Sequence, residues 1–212
     1  MYWSDSRPGG DPHSKTQRGP TDAQFTWWRW LKAAYGFSDE TLKPYNYNLG
    51  PFLANPRAIQ EGYAVAEPIY IENQGKFKPV LHLLADHGFS TYSTVIETRT
   101  DTVAKHSDLV QRFVDATILG WVNYLYGDRS AANAAMRRDN PEMTEAEIEK
   151  SVVLMKTLGI VDSGDALQTG VGSMHAERIK DFYSQMVKAG LYQPSEVCSR
   201  LLISMSDRKA ND

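Results

Sequence analysis

The chain has 212 residues, of which 42% are hydrophobic and 23% are charged. This composition is typical of a soluble globular protein and allows one large domain or two small lobes. A formal net charge of −3, with Lys and Arg scattered among acids, excludes the basic surface that nucleic-acid binding requires. The single cysteine, Cys198, excludes an internal disulfide and a cysteine-based zinc site.

The N-terminal residues 1–20 are rich in proline, glycine and polar side chains, so we predict a disordered tail. Next comes Thr21-Asp22-Ala23-Gln24, which fits a capping box. We therefore predict a helix over residues 22–35 that stops at Gly36.

The next segment predicts a short helix and several strands. Asn55-Pro56 is typical of a helix start, and Gly62 is expected to end that helix. Residues 63–66 and 78–84 are predicted strands. Residues 91–98 alternate with a period of two, which predicts a third strand after a turn.

Helical periodicity dominates after residue 99. Four helices are predicted: from Ser107 to Gly127, over 131–138, from the capping box at Thr144 to Gly159, and from Ser173 to Gly190.

Glu67 is the first candidate binding residue. It is predicted to end a strand, where ligands collect in open α/β sheets. A carboxylate can accept two hydrogen bonds from an amino-pyrimidine edge. The alternative is a structural carboxylate.

Other candidates supply rings, hydroxyls or a helix N-terminus. Trp27 and Trp28 could stack on a flat ring or pack in the core. Tyr63 and Tyr92 lie on predicted strands and offer a ring face and a hydroxyl, with core packing again the alternative. Thr26 could bind an anion or carbonyl, or cap the helix.

Patterns for catalysis and metal binding are missing from the sequence. The five histidines form no i, i+4 pair. No Gly-x-Ser-x-Gly elbow or complete P-loop occurs. We therefore expect no catalytic residue, metal or cofactor.

Seven ordered segments carry a family resemblance: FTWWRWLKAAYGF (25–37), NLGPFLA (48–54), QEGYAVAEP (60–68), LLADHG (83–88), VQRFVDA (110–116), DNPEMT (139–144) and GIVDSGDA (159–166). Through them the chain resembles the NMT1/THI5-like substrate-binding proteins of ABC transporters. The resemblance implies an α/β, two-lobed type II periplasmic-binding-protein fold with a helix-rich C-terminal half. Most of the first lobe and the export signal of such a protein are not in this chain, so an N-terminal truncation is expected.

The domain organisation expected from this resemblance has four parts. They are a tail over 1–20, an α/β ligand-binding lobe with hinge strands over 21–98, the helical C-terminal part of the other lobe over 99–205, and a tail over 206–212.

The function implied by the resemblance is that of a solute-binding component of an ABC importer. It would hold a small planar nitrogen heterocycle, such as a pyrimidine or thiamin precursor, in an interlobe cleft. We expect a monomer that partners a membrane permease, periplasmic or at the cell surface in its full-length form. Two alternatives remain: a pyrimidine-synthase-like enzyme of the same fold, for which a cysteine-rich motif would be expected, and a truncated remnant that binds nothing.

Overall fold

The computed structural model describes residues 2–5, 19–20, 25–43 and 45–194. In these residues the protein is rich in helices with a few strands, consistent with the predicted α/β class. The capping box at 21–24, Cys198 and the tail over 206–212 lie outside them.

A three-stranded sheet has the order β4-β1-β5. The central strand β1 (Tyr2–Asp5) is antiparallel to β4 (Ile59–Gly62) and to β5 (Val80–Leu83). For these four residues the predicted disordered tail is wrong, because both edges of β1 are hydrogen-bonded. A second sheet pairs β2 (Gly19–Pro20) with β3 (Leu42–Lys43) in parallel.

The helix predicted from Asn55 to Gly62 and the strand predicted over 63–66 are both wrong. Asn55 accepts a hydrogen bond from the backbone N–H of Arg57, which closes a turn instead of starting a helix. Strand β4 follows, and both Ile59 and Gln60 are at most 2% exposed. A strand buried on both faces lacks the period of two that sequence reasoning uses. The predicted strand over 63–66 is a turn.

Glu67 consequently begins a helix and does not end a strand. Helix α3 (Glu67–Gly75) follows short helix α2 (Gly50–Leu53) and strand β4. Pro68 stands in the first turn of α3, where its missing N–H costs no helical hydrogen bond.

Strand β5 confirms the strand predicted over 78–84, but the strand predicted over 91–98 is wrong. Val95 and Ile96 are 51% and 52% exposed, and no described strand pairs with this segment. Alternation alone does not make a strand, since a strand needs a neighbour to take its hydrogen bonds.

The predicted helices are largely confirmed. Helix α1 (Thr26–Tyr35) ends before Gly36, which has a φ of 69° and so adopts the left-handed conformation that terminates helices. The capping box at Thr144 is present, with Glu147 bonding back to it. Ser173 is not a cap, because the last helix starts three residues later. The helices not yet given are α4 (Thr100–Lys105), α5 (Ser107–Tyr126), α6 (Ser130–Asp139), α7 (Glu145–Thr157), α8 (Ala166–Thr169) and α9 (Ala176–Lys188).

The chain divides into two compact units. The first holds the described residues up to Thr91 together with those from Ala176 onward, and the second runs from Tyr92 to His175. Helix α9 thus joins the first unit and not the predicted 99–205 part, because Met186 is buried in the tryptophan core of that unit. In the part of the chain that is described, no helix is both long and apolar enough to cross a membrane.

The first unit contains two apolar cores. One is built around α1 and consists of Trp27, Trp28, Trp30, Leu31, Phe37, Ile59, Leu84 and Met186. The other lies around α2 and α3 and consists of Leu49, Phe52, Ala58 and Ile71. In the second unit the buried apolar residues are Val103, Leu125, Ile148 and Val152.

Candidate functional site

The carboxylate of Glu67 is held at the start of α3. The backbone N–H of Tyr63 donates to Glu67 Oε2 at 2.6 Å, across the turn that joins β4 to α3. Glu67 is only 9% exposed. Gly62 allows this arrangement, since a Cβ at Gly62 would lie 2.7 Å from both Cδ and Oε2 of Glu67.

Two tyrosines from the segment before α2 belong to the same site. The hydroxyl of Tyr45 donates to Glu67 Oε1 at 3.5 Å, the outer limit of a hydrogen bond. The ring of Tyr45 lies 5.2 Å from that of Tyr47, centroid to centroid, at an angle of 48°. We call Tyr45, Tyr47, Tyr63 and Glu67 the tyrosine–glutamate cluster.

Two rings of the tyrosine–glutamate cluster are open to solvent. Tyr47 is 87% exposed and Tyr63 is 52% exposed, while Tyr45 is half-buried. Tyr47 also has a φ of 62°, a left-handed conformation that is uncommon for a residue with a bulky side chain. The cluster therefore combines exposed aromatic surface with a buried carboxylate.

Negative charge surrounds the hydroxyl of Tyr45. Burial raises its pKa well above the ordinary value of 10, and the carboxylates of Glu67 and Glu61 raise it further. The Tyr45 hydroxyl therefore stays protonated and remains a donor throughout the physiological pH range.

Trp27 and Trp28 lie in the hydrophobic core of the first unit. They are 6% and 3% exposed, and their rings meet edge to face at 6.2 Å. Trp28 also contacts Phe37 edge to face, and its Nε1 donates to Asp39 Oδ1 at 2.8 Å. Both tryptophans are therefore surrounded by core residues, which agrees with the alternative of core packing. Ring stacking by either tryptophan stays a prediction.

The remaining predicted site residues, Thr26 and Tyr92, are not members of the tyrosine–glutamate cluster. Thr26 is the exposed first residue of α1. Tyr92 belongs to the second unit, where its hydroxyl donates to Asp165 and accepts from the backbone N–H of His175. Of the predicted residues, only Tyr63 and Glu67 lie in the tyrosine–glutamate cluster.

Sequence reasoning missed Tyr45 and Tyr47. A signal was present, because two tyrosines two residues apart stand in the polar segment Tyr45-Asn46-Tyr47-Asn48, which has no helical periodicity. Large aromatic side chains in such a segment are not needed for an amphipathic core face, and exposed apolar surface is typical of binding sites. Among the described residues, no group of three or more potential metal ligands is found.

Comparison with known protein families matches residues 37–128 to the family described as NMT1/THI5 like. This segment is NMT1/THI5-like. The predicted family resemblance is thereby confirmed over these residues, which include the whole tyrosine–glutamate cluster. The NMT1/THI5-like segment is compatible with a substrate-binding role. The comparisons found no match among curated proteins or solved structures.

Proposed function

We propose that the protein is the solute-binding component of an ABC importer and that it binds a small planar nitrogen heterocycle, such as a pyrimidine, at the tyrosine–glutamate cluster. The observation that carries this proposal is the buried carboxylate of Glu67, which is bonded to the hydroxyl of Tyr45, whose ring adjoins that of exposed Tyr47, inside the NMT1/THI5-like segment. The chemistry of the ligand follows from the two kinds of group in the cluster.

The carboxylate supplies the directional part of recognition. Glu67 Oε2 accepts a bond from the backbone of Tyr63, whereas the one bond of Oε1 with a described residue is the long bond from Tyr45. Since each carboxylate oxygen can accept two hydrogen bonds, Oε1 can accept an amino or ring N–H from a ligand. Such charge-assisted bonds are about twice as strong as neutral ones.

The tyrosine rings supply the flat surface on which a planar ligand can stack. Tyr47 and Tyr63 present exposed ring surface, and stacking on an aromatic ring favours a planar ligand. The proposal includes a membrane permease as partner, a monomeric state and a periplasmic or cell-surface location for the full-length protein, all of which follow from the role of an importer component.

Calorimetric titration of the full chain with 4-amino-2-methylpyrimidine tests the function. We expect Glu67→Gln to weaken binding by more than about 1 kcal/mol, because a neutral amide replaces a charged acceptor. The glutamine can still accept the bond from Tyr63, so the turn is retained. The matched control is Glu177→Gln, which removes an exposed acid from the first turn of α9.

Two results would count against the proposal. Equal affinities of wild type and Glu67→Gln would remove Glu67 from the site. No heat of binding from a chain that melts cooperatively would exclude an aminopyrimidine-binding function.

A further inference from the structure

Resting on this function, we propose that the tyrosine–glutamate cluster selects a cation: a planar heterocycle of the pyridinium type, carrying its positive charge on the ring. The proposal depends on two features: a buried carboxylate that has no cationic partner among the described residues, and the adjoining rings of Tyr45 and Tyr47, of which Tyr47 is open to solvent.

The carboxylate of Glu67 has only neutral partners in the described part of the chain. Its bonds come from the backbone of Tyr63 and the hydroxyl of Tyr45. Six ion pairs occur among the described residues, and none includes Glu67. A carboxylate that is nine-tenths buried loses hydration, and an ion pair offsets that loss best. A cationic ligand would supply the missing charge.

The rings add a second source of attraction for a cation. Tyr45 and Tyr47 stand 5.2 Å apart at a tilt, and Tyr47 is 87% exposed. The π-face of an aromatic ring attracts cations, and rings grouped around organic cations form aromatic cages. The neighbouring acids reinforce this attraction, because Glu61 and Glu67 both act on the Tyr45 hydroxyl.

An organic cation fits these groups better than a metal ion does. Metal ions require several oxygen, nitrogen or sulfur ligands at short distance. No group of three or more His, Cys, Asp or Glu side chains that could hold a metal ion is found in the described residues. Ring faces, in contrast, add to the binding of an organic cation but coordinate no metal.

The test compares two probes of equal shape. These are 4-amino-1-methylpyridinium, which is permanently charged, and 4-methylaniline, which replaces the charged ring nitrogen by carbon. In calorimetric titrations of the full chain we expect the cation to bind at least about tenfold more tightly, a difference of about 1.4 kcal/mol. In Glu67→Gln we expect this ratio to fall towards one, because the affinity for the cation should fall by more than the affinity for neutral 4-methylaniline, which loses only the charge-assisted bond of its amino group.

A second variant removes a ring without touching the carboxylate. Tyr47→Asn introduces a residue type that tolerates the left-handed backbone at this position. We expect it to weaken cation binding several-fold. The matched control is Tyr192→Asn, since Tyr192 belongs to another tyrosine pair of the first unit, in which its ring lies 5.7 Å from that of Tyr183, centroid to centroid. This control should leave the affinity for both probes unchanged.

The outcomes separate this inference from the function on which it rests. If 4-amino-2-methylpyrimidine binds and the two probes bind equally, the function stands and the cation preference is wrong. If neither the pyrimidine nor the probes bind a cooperatively folded chain, both fail. A rise in melting temperature with zinc or calcium chloride that Glu67→Gln abolishes would also overturn the inference, because the site would then take a metal.

Discussion

The carboxylate of Glu67 lies so close to Gly62 that it occupies the space that any side chain at position 62 would need. A Cβ there would lie 2.7 Å from Glu67 Cδ and Oε2 and 2.8 Å from Cγ. The turn between β4 and α3 thus needs glycine because of its neighbour's carboxylate. This relationship links the geometry of the turn to the candidate binding site.

Gly62→Ala should therefore disturb stability and binding together. We expect the free energy of unfolding to fall by about 1–3 kcal/mol, because the carboxylate must leave its bond with the Tyr63 N–H or crowd the new methyl group. Affinity for the ligand should fall at least as much as in Glu67→Gln. Denaturant unfolding and calorimetry measure the two effects.

The control for this variant is Gly120→Ala in the middle of α5, where an added Cβ meets no atom within 4 Å. That change should stabilise the helix by about 0.5–1 kcal/mol. If Gly62→Ala behaves like Gly120→Ala, the described position of the Glu67 carboxylate is wrong.

Trp28→Phe distinguishes core packing from ligand stacking. The change removes part of a ring that packs against Trp27 and Phe37, together with the N–H that donates to Asp39. We expect the free energy of unfolding to fall by about 1–3 kcal/mol, with ligand affinity unchanged. A fall in affinity without a loss of stability would instead support the stacking role predicted from the sequence.

Asn133 organises a buried polar contact between α6 and α7. Its side chain is 2% exposed, and Nδ2 donates to Glu145 Oε1 at 2.7 Å and to Glu149 Oε1 at 3.1 Å. Asn133→Asp would place a third carboxylate against these two. At neutral pH we expect a loss of at least about 2 kcal/mol of unfolding free energy, since the introduced charge would be buried and would face two carboxylates.

The loss in Asn133→Asp should decrease as the pH falls, because protonation of the introduced carboxyl removes the repulsion. Asn133→Ala serves as the control. It should cost about 1–3 kcal/mol, with a much weaker dependence on pH. Equal losses in the two variants at every pH would show that repulsion plays no part. Urea unfolding over a range of pH makes the comparison.

The ion pair between Arg129 and Glu149 predicts acid sensitivity of the second unit. Arg129 donates two hydrogen bonds of 2.8 Å to the two oxygens of Glu149, which hold the pKa of Glu149 below its ordinary value of 4.5. A carboxyl that is more acidic when folded contributes its full stability above that ordinary value. The contribution is lost as the pH falls through the lowered pKa.

We therefore expect the melting temperature of wild type to exceed that of Glu149→Gln at neutral pH and the difference to shrink below pH 4.5. Glu142→Gln, at an exposed position before α7, is the control and should follow wild type. A difference that stays constant down to about pH 3 would contradict the assignment.

The sequence by itself determined the features that depend on neighbours a few residues apart. The stop of α1 at Gly36 follows from the freedom of glycine at positive φ, and the start of α7 follows from the reciprocal bonds of Thr144 and Glu147. Helix α5 also ends before the predicted Gly127, but this glycine is extended, with a φ of −105°, so positive φ is not the reason. Glu67 and Tyr63 were also named from the sequence as candidate binding residues, and their role in binding stays a prediction. The strands assigned to them, one ending at Glu67 and one containing Tyr63, were wrong.

Only the tertiary structure decided the features that depend on distant partners. Residues 59–62 became a strand because β1 pairs with them, and residues 91–98 did not because no described strand does. Tyr45 reaches Glu67 across 22 positions of sequence. Such contacts depend on which surfaces meet in the folded chain, and the periodicity of one segment contains no information about its partner.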